Sequence, residues 1–205
     1  MRSSESYAEL LRLGRPLIET GEAASRLQLS LSSASHLLAS LEKEGLVRRI
    51  RRGLWALQPS PEPFSVPPYL TAPFPAYVSF WSALARHGMI EQIPRSISVA
   101  STDRTRRAPT TLGIYAIHHV APELFDGYSG DQLSGYVAIP EKALFDAVYL
   151  RAPAGGRLYL PELTLPENFD ADDQLAGWLG RIARPRLRTL VARGLSTALK
   201  QALED

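Results

Sequence analysis

The sequence predicts an α+β fold in two units, and three observations support that prediction. Three helical patterns and an arginine-rich hairpin fill the first 58 of the 205 residues. A segment with seven prolines in eighteen residues follows at 58–75. Beyond it, short strand-like runs mix with helices without strict βαβ alternation, which favours an α+β architecture.

The first unit, 1–58, carries helical patterns at about 5–13, 22–27 and 31–44, with Thr20 as a candidate N-cap for the second. Gly45 ends the third pattern, and the run LVRRIRRGLWAL after it predicts a β-hairpin. Three helices followed by a basic hairpin is the order of a winged helix-turn-helix. Apolar residues recur on one face of the third helix: Leu31, Ala34, Leu37, Leu38 and Leu41.

The proline-rich segment, 59–75, is predicted to be an extended linker with polyproline II character, because each proline fixes φ and lacks an N–H. The remainder, 76–205, is predicted to be a mixed α/β domain with short strands and C-terminal helices. We expect strands at about 97–100, 114–120 and 136–139. The predicted helices comprise one marked by Tyr77, Phe80, Trp81 and Leu84, one opening at Pro140 with Leu144, Phe145 and Val148 buried, and two that close the chain.

The polar face of the third helix is rich in serine, a mediocre helix former that is unusual on a merely solvated face. Short hydroxyls let a helix approach the major groove, and four arginines in the hairpin can reach phosphates or a minor groove. We therefore expect this unit to bind double-stranded DNA, the alternative being a solvated basic hairpin on a protein-interaction domain. The candidate DNA-binding residues are Ser32, Ser33, Ser35, His36, Ser40, Lys43, Arg48, Arg49, Arg51 and Arg52.

Charge is unevenly distributed along the chain, although the net charge is only +2. The segment 123–173 holds ten acidic against three basic residues, whereas both ends are basic. The basic end at the C-terminus offers a possible second phosphate-binding face: Arg184, Arg186, Arg188 and Arg193. Pairing of these arginines with the acidic segment, within the chain or in a dimer, is the interpretation we favour. Docking of an acidic or RNA-bound partner is a third possibility.

Two runs in the second unit, YVSFWSALARHGMIEQIPRSISVAS and GYVAIPEKALFDAVYL, are distinctive. The run LSLSSASHLLASLEKEGLVRRIRRG in the first unit resembles the recognition-helix-and-wing segment of many bacterial winged-helix repressors. Together with this predicted winged helix, the two runs of the second unit resemble the AbiEi antitoxin family of bacterial abortive-infection toxin–antitoxin systems, over about residues 5–150. The residues that carry the resemblance are Ser79, Ser82, Ala83, Leu84, His87, Gly88, Pro94, Pro140, Glu141, Lys142, Ala143, Leu144, Asp146, Tyr149 and Leu150.

The resemblance implies a winged-helix repressor that binds inverted repeats in its own promoter and counters a nucleotidyltransferase-type toxin. Members of the family are generally not enzymes, and many have a longer C-terminal domain than this chain. The alternative is a ligand-responsive or dimerising winged-helix transcription factor unrelated to a toxin. A third hypothesis, ranked below these two, is a nucleic-acid-processing enzyme that uses the C-terminal domain.

Catalytic and metal-binding signatures are missing from the sequence. There is no cysteine, no Asp/Glu-x-Lys tripeptide, no P-loop and no G-x-S-x-G or H-E-x-x-H motif. His118 and His119 are neighbours in a predicted strand, so their side chains point to opposite faces and do not share one ion. We expect no catalytic site, metal or cofactor, and we interpret Glu141, Lys142 and Asp146 as a helix-start anion and exposed charges. With no secretory pattern and no apolar span, a cytoplasmic location without membrane contact is expected.

Overall fold

The computed structural model describes residues 3–154, 160, 163–171 and 173–204, and its fold is α+β, as predicted. The α-helices are α1 (Ser3–Leu11), α2 (Thr20–Leu27), α3 (Leu31–Lys43), α4 (Pro67–Thr71), α5 (Phe80–Arg86), α6 (Pro140–Arg151), α7 (Asp173–Arg181) and α8 (Pro185–Glu204). The strands are β1 (Leu17–Glu19), β2 (Arg48–Arg51), β3 (Leu54–Ala56), β4 (Ala76–Val78), β5 (Ile97–Ser101), β6 (Arg106–Thr110), β7 (Gly113–His119), β8 (Tyr128–Asp131) and β9 (Gly135–Ala138). No helix in these ranges has the length and apolarity needed to cross a bilayer.

Two sheets organise these strands. A three-stranded antiparallel sheet has the order β1-β3-β2, and a six-stranded mixed sheet has the order β6-β7-β5-β4-β9-β8. The predicted hairpin corresponds to β2 and β3, whereas β1, β4, β6 and β8 were not predicted. β1 and β4 have three residues each, whereas β6 carries Pro109 and β8 carries Gly130, so the alternation of apolar and polar residues in these strands is too brief or too irregular to stand out.

The three N-terminal helices pack against the hairpin around a small apolar core. A reciprocal capping box between Glu19 and Glu22 opens α2, and the Ser30 hydroxyl accepts from the Ser33 amide to open α3. Leu38 and Leu41 are buried in this core as predicted. The prediction was wrong for Leu31, which is 64% exposed because it lies in the first turn of α3, beyond the edge of the core.

The proline-rich segment is not extended throughout. It holds a 3₁₀ turn at Pro63–Ser65 and the short helix α4, and Val66 and Leu70 on it are buried. Prolines occupy the opening positions of both elements, where a missing N–H costs no intrahelical hydrogen bond. The segment is therefore part of the packed structure, and the prediction of a polyproline II linker is wrong for these residues.

A hydrophobic cluster joins the first unit to the six-stranded sheet. Leu17, Ile50 and Leu54 from the three-stranded sheet pack in one cluster with Val99 and Tyr115 from the larger sheet. Thr111, in the turn between β6 and β7, extends this contact with hydrogen bonds to the hairpin backbone. The two units thus share a continuous core.

The other face of the six-stranded sheet is covered by α5, α6, α7 and α8. Leu144, Phe145 and Val148 of α6 are buried there, as predicted. Tyr77 was expected on a helix but lies in β4, and α5 begins only at Phe80, which has a φ of 54°. The chain changes from strand to helix at Ser79, so the apolar spacing from Tyr77 to Leu84, which predicted one helix, spans two elements.

A buried ion pair lies at the centre of this core. Lys142 bonds the Asp146 carboxylate one turn further along α6, and both side chains are 0% exposed. The hydroxyls of Tyr77 and Ser79 donate to Asp146 Oδ2 at 3.0 and 2.7 Å. Burial raises the pKa of Asp146 above its usual range, although Lys142, Ser79 and Tyr77 oppose that rise.

The interpretation of Lys142 and Asp146 as exposed charges is therefore wrong, whereas Glu141 does lie in the first turn of α6, as expected. Trp178 of α7 covers α6 from outside, with its ring centroid 5.4 Å from Lys142 Nζ. Glu141 is also buried, and its Oε1 accepts from the Asp170 amide at 2.9 Å. The polar residues of this motif hold β4, α5, α6 and the segment before α7 together.

His118 gives the fold a pH dependence. Its ring meets Phe80 edge-on at 5.0 Å between centroids, and burial lowers the pKa of His118 below the ordinary 6.5. The unfolded chain therefore binds the proton of the His118 imidazole more tightly than the folded chain does. The contribution of neutral His118 to the free energy of unfolding is complete above about pH 6.5, and it declines as the pH falls towards the folded-state pKa.

We expect the melting temperature of His118→Gln to fall less than that of the wild type when the pH is lowered from about 7 to about 5. Thermal melts across this range test it, with exposed His36→Gln as the control, and equal slopes for His118→Gln and wild type would contradict it.

Candidate nucleic-acid interface

The exposed face of α3 carries the polar residues singled out in the sequence. Ala34, Leu38 and Leu41 point into the core, so the opposite side of the helix faces solvent. Ser35 is half-buried at the edge of this face. The fully exposed members are Ser32, Ser33, His36, Ser40 and Lys43.

Some of these side chains already have partners in the helix. Ser33 accepts from the N-cap hydroxyl of Ser30 at 2.9 Å, and Ser40 lies 3.3 Å from a Glu44 carboxylate oxygen. In the part of the chain that the structure describes, no such bond engages the side chains of Ser32, Ser35, His36 and Lys43. The polar groups of these four side chains are therefore available to a ligand.

The four arginines of the hairpin do not lie on one side. The pairing register shifts between Arg49 and Arg51, a β-bulge that leaves Ile50 as an extra residue. Arg49 pairs with Trp55, whereas Arg51 pairs with Leu54 and Arg48 with Ala56. Since Trp55 packs with the helices and Leu54 with the large sheet, the bulge separates Arg49 from Arg48 and Arg51.

Arg49 lies on the helix side of the hairpin. Its guanidinium carbon is 4.4 Å from the centre of the Trp55 ring, and its backbone amide donates to Glu42 of α3 at 2.8 Å. The Trp55 indole in turn donates to the Thr20 hydroxyl at 3.0 Å. This chain of contacts fixes the hairpin against the start of α2 and the end of α3.

A groove of about 410 Å³ forms between the hairpin and the helices. Ser35 from α3 and Arg49 and Arg52 from the hairpin line it together. Arg52 and Gly53 form the tip of the hairpin, and Gly53 has a φ of 82°, a conformation that favours glycine. The hydroxyl-bearing helix and the arginine-bearing hairpin therefore contribute to one surface, although the sequence offered no way to know which arginines would do so.

Arg48 turns towards the second unit, and Arg51 turns towards the proline-rich segment. Arg48 donates to the carbonyl of Thr111 at 3.2 Å, and Arg51 donates to the carbonyl of Tyr69 at 3.4 Å. The Thr111 hydroxyl donates back to the Arg49 carbonyl at 2.6 Å, and its amide donates to the Ile50 carbonyl at 2.9 Å. These bonds brace the hairpin from behind.

The arginines proposed as a second basic face are Arg184, Arg186, Arg188 and Arg193, and all four are exposed. Arg188 donates to the Ile182 carbonyl at 3.0 and 2.7 Å, which closes the turn between α7 and α8. Among the described residues, the ion pair between the C-terminal helices and the acidic segment is made by Arg181, which bonds Asp126 at 2.6 Å. The expected intramolecular pairing thus involves a residue that the sequence did not single out.

The two adjacent histidines point to different environments. His118 packs against Phe80, whereas the exposed His119 lies 3.2 Å from the Asp103 carbonyl through Nδ1. Across the described ranges, no group of three or more histidine and acidic side chains is arranged to hold a metal ion.

Comparison with known proteins gives no independent assignment. No protein-family model matches the chain, and no curated protein matches it.

Proposed function

We propose that the first unit is a winged helix-turn-helix that binds double-stranded DNA. In this proposal α3 is the recognition helix in the major groove, and the β2–β3 hairpin is the wing. The observation that carries it is the groove shared by Ser35, Arg49 and Arg52, because it combines hydroxyl and guanidinium groups on one exposed surface. The order α1-β1-α2-α3-β2-β3 supports the same assignment.

The chemistry of this surface suits a polyanion. Arginine stays charged at every physiological pH and bonds phosphate oxygens in a bidentate manner. Stacking on Trp55 orients the Arg49 guanidinium before any ligand arrives, which reduces the entropy lost on binding. The short side chains of α3 keep its backbone close to a groove floor, where His36 and the serines can reach base edges.

Sequence preference is expected to depend on α3 rather than on the wing. Ser35→Ala and His36→Ala should each change the preferred base at one or two positions of the site, with discrimination altered by about 1–3 kcal/mol. Selection of bound sequences from a random duplex pool measures this, with Ser40→Ala, whose hydroxyl is occupied by Glu44, as the control. Unchanged preferences in both variants would contradict a base-reading role for α3.

The wider role that we propose is that of an AbiEi-type antitoxin and autorepressor. The resemblance of the motif residues in α5 and α6 supports this role, and in it the chain acts as a binding protein rather than as an enzyme. The DNA partner would be inverted repeats in its own promoter, and the functional partner would be a nucleotidyltransferase-type toxin.

Two experiments test this role separately. A gel-shift titration with the DNA upstream of the gene should give a saturable complex that competitor DNA of unrelated sequence does not displace. If a nucleotidyltransferase toxin is encoded beside this gene, as the proposal expects, co-expression of the intact chain should restore the growth of cells that produce that toxin. A lack of rescue together with specific promoter binding would reject the antitoxin role and leave the repressor.

A further inference from the structure

A cleft of about 420 Å³ lies between the N-terminal unit and the β8–β9 hairpin, and it shares no lining residue with the groove described above. Three parts of the chain form its walls: the segment around the start of α2, the proline-rich segment and the β8–β9 hairpin. The side chains that matter for its chemistry are Arg15, Glu19, Glu22, Tyr69, Asp131 and Tyr136.

Two backbone segments pack closely where Gly135 lines the cleft. Gly135, which lines it, has a φ of 88°, and a Cβ at this position would lie 2.2 Å from the carbonyl oxygen of Phe64. Glycine is therefore required for β9 to approach the proline-rich segment this closely. The cleft is a consequence of how these two segments pack.

Negative charge dominates the cleft. Three carboxylates face one arginine, and Arg15 already pairs with Glu22 at 3.0 Å. The amides of Leu133 and Ser134 donate to Asp131 Oδ1 at 2.7 and 2.8 Å, and these bonds hold the pKa of Asp131 below its usual range. Asp131 is thus ionised at neutral pH, and an anionic ligand would be repelled.

Two half-buried tyrosines, Tyr69 and Tyr136, supply aromatic surface. Burial raises the pKa of Tyr69, so its hydroxyl stays neutral at physiological pH. The face of an aromatic ring attracts a cation, and carboxylates beside it provide charge-assisted hydrogen bonds. Rings and carboxylates together are the surroundings that an organic ammonium group prefers.

We propose that this cleft is a binding site for a small organic ammonium compound, with the cationic head on the Glu19 and Asp131 side and the apolar body between Tyr69 and Tyr136. Such a ligand would contact both units of the chain at once. The proposal concerns a second site and does not depend on DNA binding.

The probe is phenethylamine, and its matched neutral analogue is phenethyl alcohol, which keeps the ring and removes the charge. Titration of the full chain, followed by two-dimensional NMR, should show saturable shifts at cleft residues with a dissociation constant of about 0.1–10 mM for the amine. The alcohol should have a dissociation constant at least about tenfold higher than that of the amine. Equal affinity for both compounds, or no saturable shift with the amine, would overturn the proposal.

Variants locate the site. Asp131→Asn keeps the turn-forming acceptor and removes the charge, so it should weaken phenethylamine binding about fivefold and leave the alcohol unaffected. Tyr136→Ala should weaken both compounds. Glu91→Gln neutralises an exposed carboxylate outside the cleft and should change neither. Binding of the amine that is insensitive to both cleft variants would place the ligand elsewhere and refute the assignment.

Because no step of this experiment uses DNA, its failure and that of the winged-helix proposal are independent.

Discussion

Replacing Asp146 with alanine is expected to lower the free energy of unfolding by about 3–5 kcal/mol, the usual cost of removing one partner from a buried ion pair. Lys142 would remain fully buried without its carboxylate, and Tyr77 and Ser79 would lose the acceptor of their hydrogen bonds. Urea-induced unfolding followed by fluorescence and circular dichroism measures the change.

Two controls separate this effect from a general loss of packing. Lys142→Met combined with Asp146→Leu removes both charges and should recover much of the lost stability, since only the tyrosine and serine hydroxyls then lack a partner. Arg12→Ala breaks an ion pair whose arginine is 73% exposed and should cost less than about 1 kcal/mol. If Asp146→Ala lowered the free energy of unfolding no more than Arg12→Ala does, the buried ion pair would not contribute substantially to the stability of this core.

The double variant Arg49→Ala/Arg52→Ala is expected to weaken DNA binding about 10- to 100-fold at moderate salt. It should also reduce the slope of log K against log salt by about 2, because two phosphate contacts and their released counterions are lost. Both arginines line the groove beside Ser35 and are exposed to an approaching duplex. Fluorescence anisotropy with a labelled duplex, over a range of salt concentrations, tests the expectation.

A matched control removes the same charge from the other side of the same hairpin. Arg48→Ala/Arg51→Ala deletes guanidiniums that contact the carbonyls of Thr111 and Tyr69, so the loss of affinity should be only a few-fold. Arg49→Lys/Arg52→Lys keeps the charge and should preserve the salt slope. Equal losses for the two alanine pairs, in variants with unchanged melting temperature, would show that net charge rather than the groove governs binding.

Local patterns were sufficient to predict the elements that carry the proposed DNA surface. α3 follows from the helical spacing of its apolar residues, and the hairpin follows from a short turn at Gly53 between two apolar runs. The serines of α3 were expected on the exposed face because the apolar residues leave no other place for them. These inferences depend on contacts between residues close in the chain.

Long-range packing explains what the sequence did not reveal. A lysine and an aspartate at i and i+4 are typical of an exposed helix face, and only coverage by Trp178 and Tyr77 from distant elements buries this pair. The division of the hairpin arginines depends on a β-bulge at Ile50, which shifts side-chain alternation by one residue. Strict alternation would have placed Arg49 and Arg51 on the same side.

The hydrophobic cluster around Leu17, Ile50 and Leu54 has a consequence for the modularity of this protein. A fragment cut after residue 58 would expose those side chains to water, and a chain beginning at residue 76 would expose the complementary patch around Val99 and Tyr115. Neither fragment is therefore expected to stay folded and monomeric when it is fused to another protein, unless its exposed apolar patch is redesigned. We therefore expect residues 1–58 and 76–205 to fold stably only as parts of the same chain.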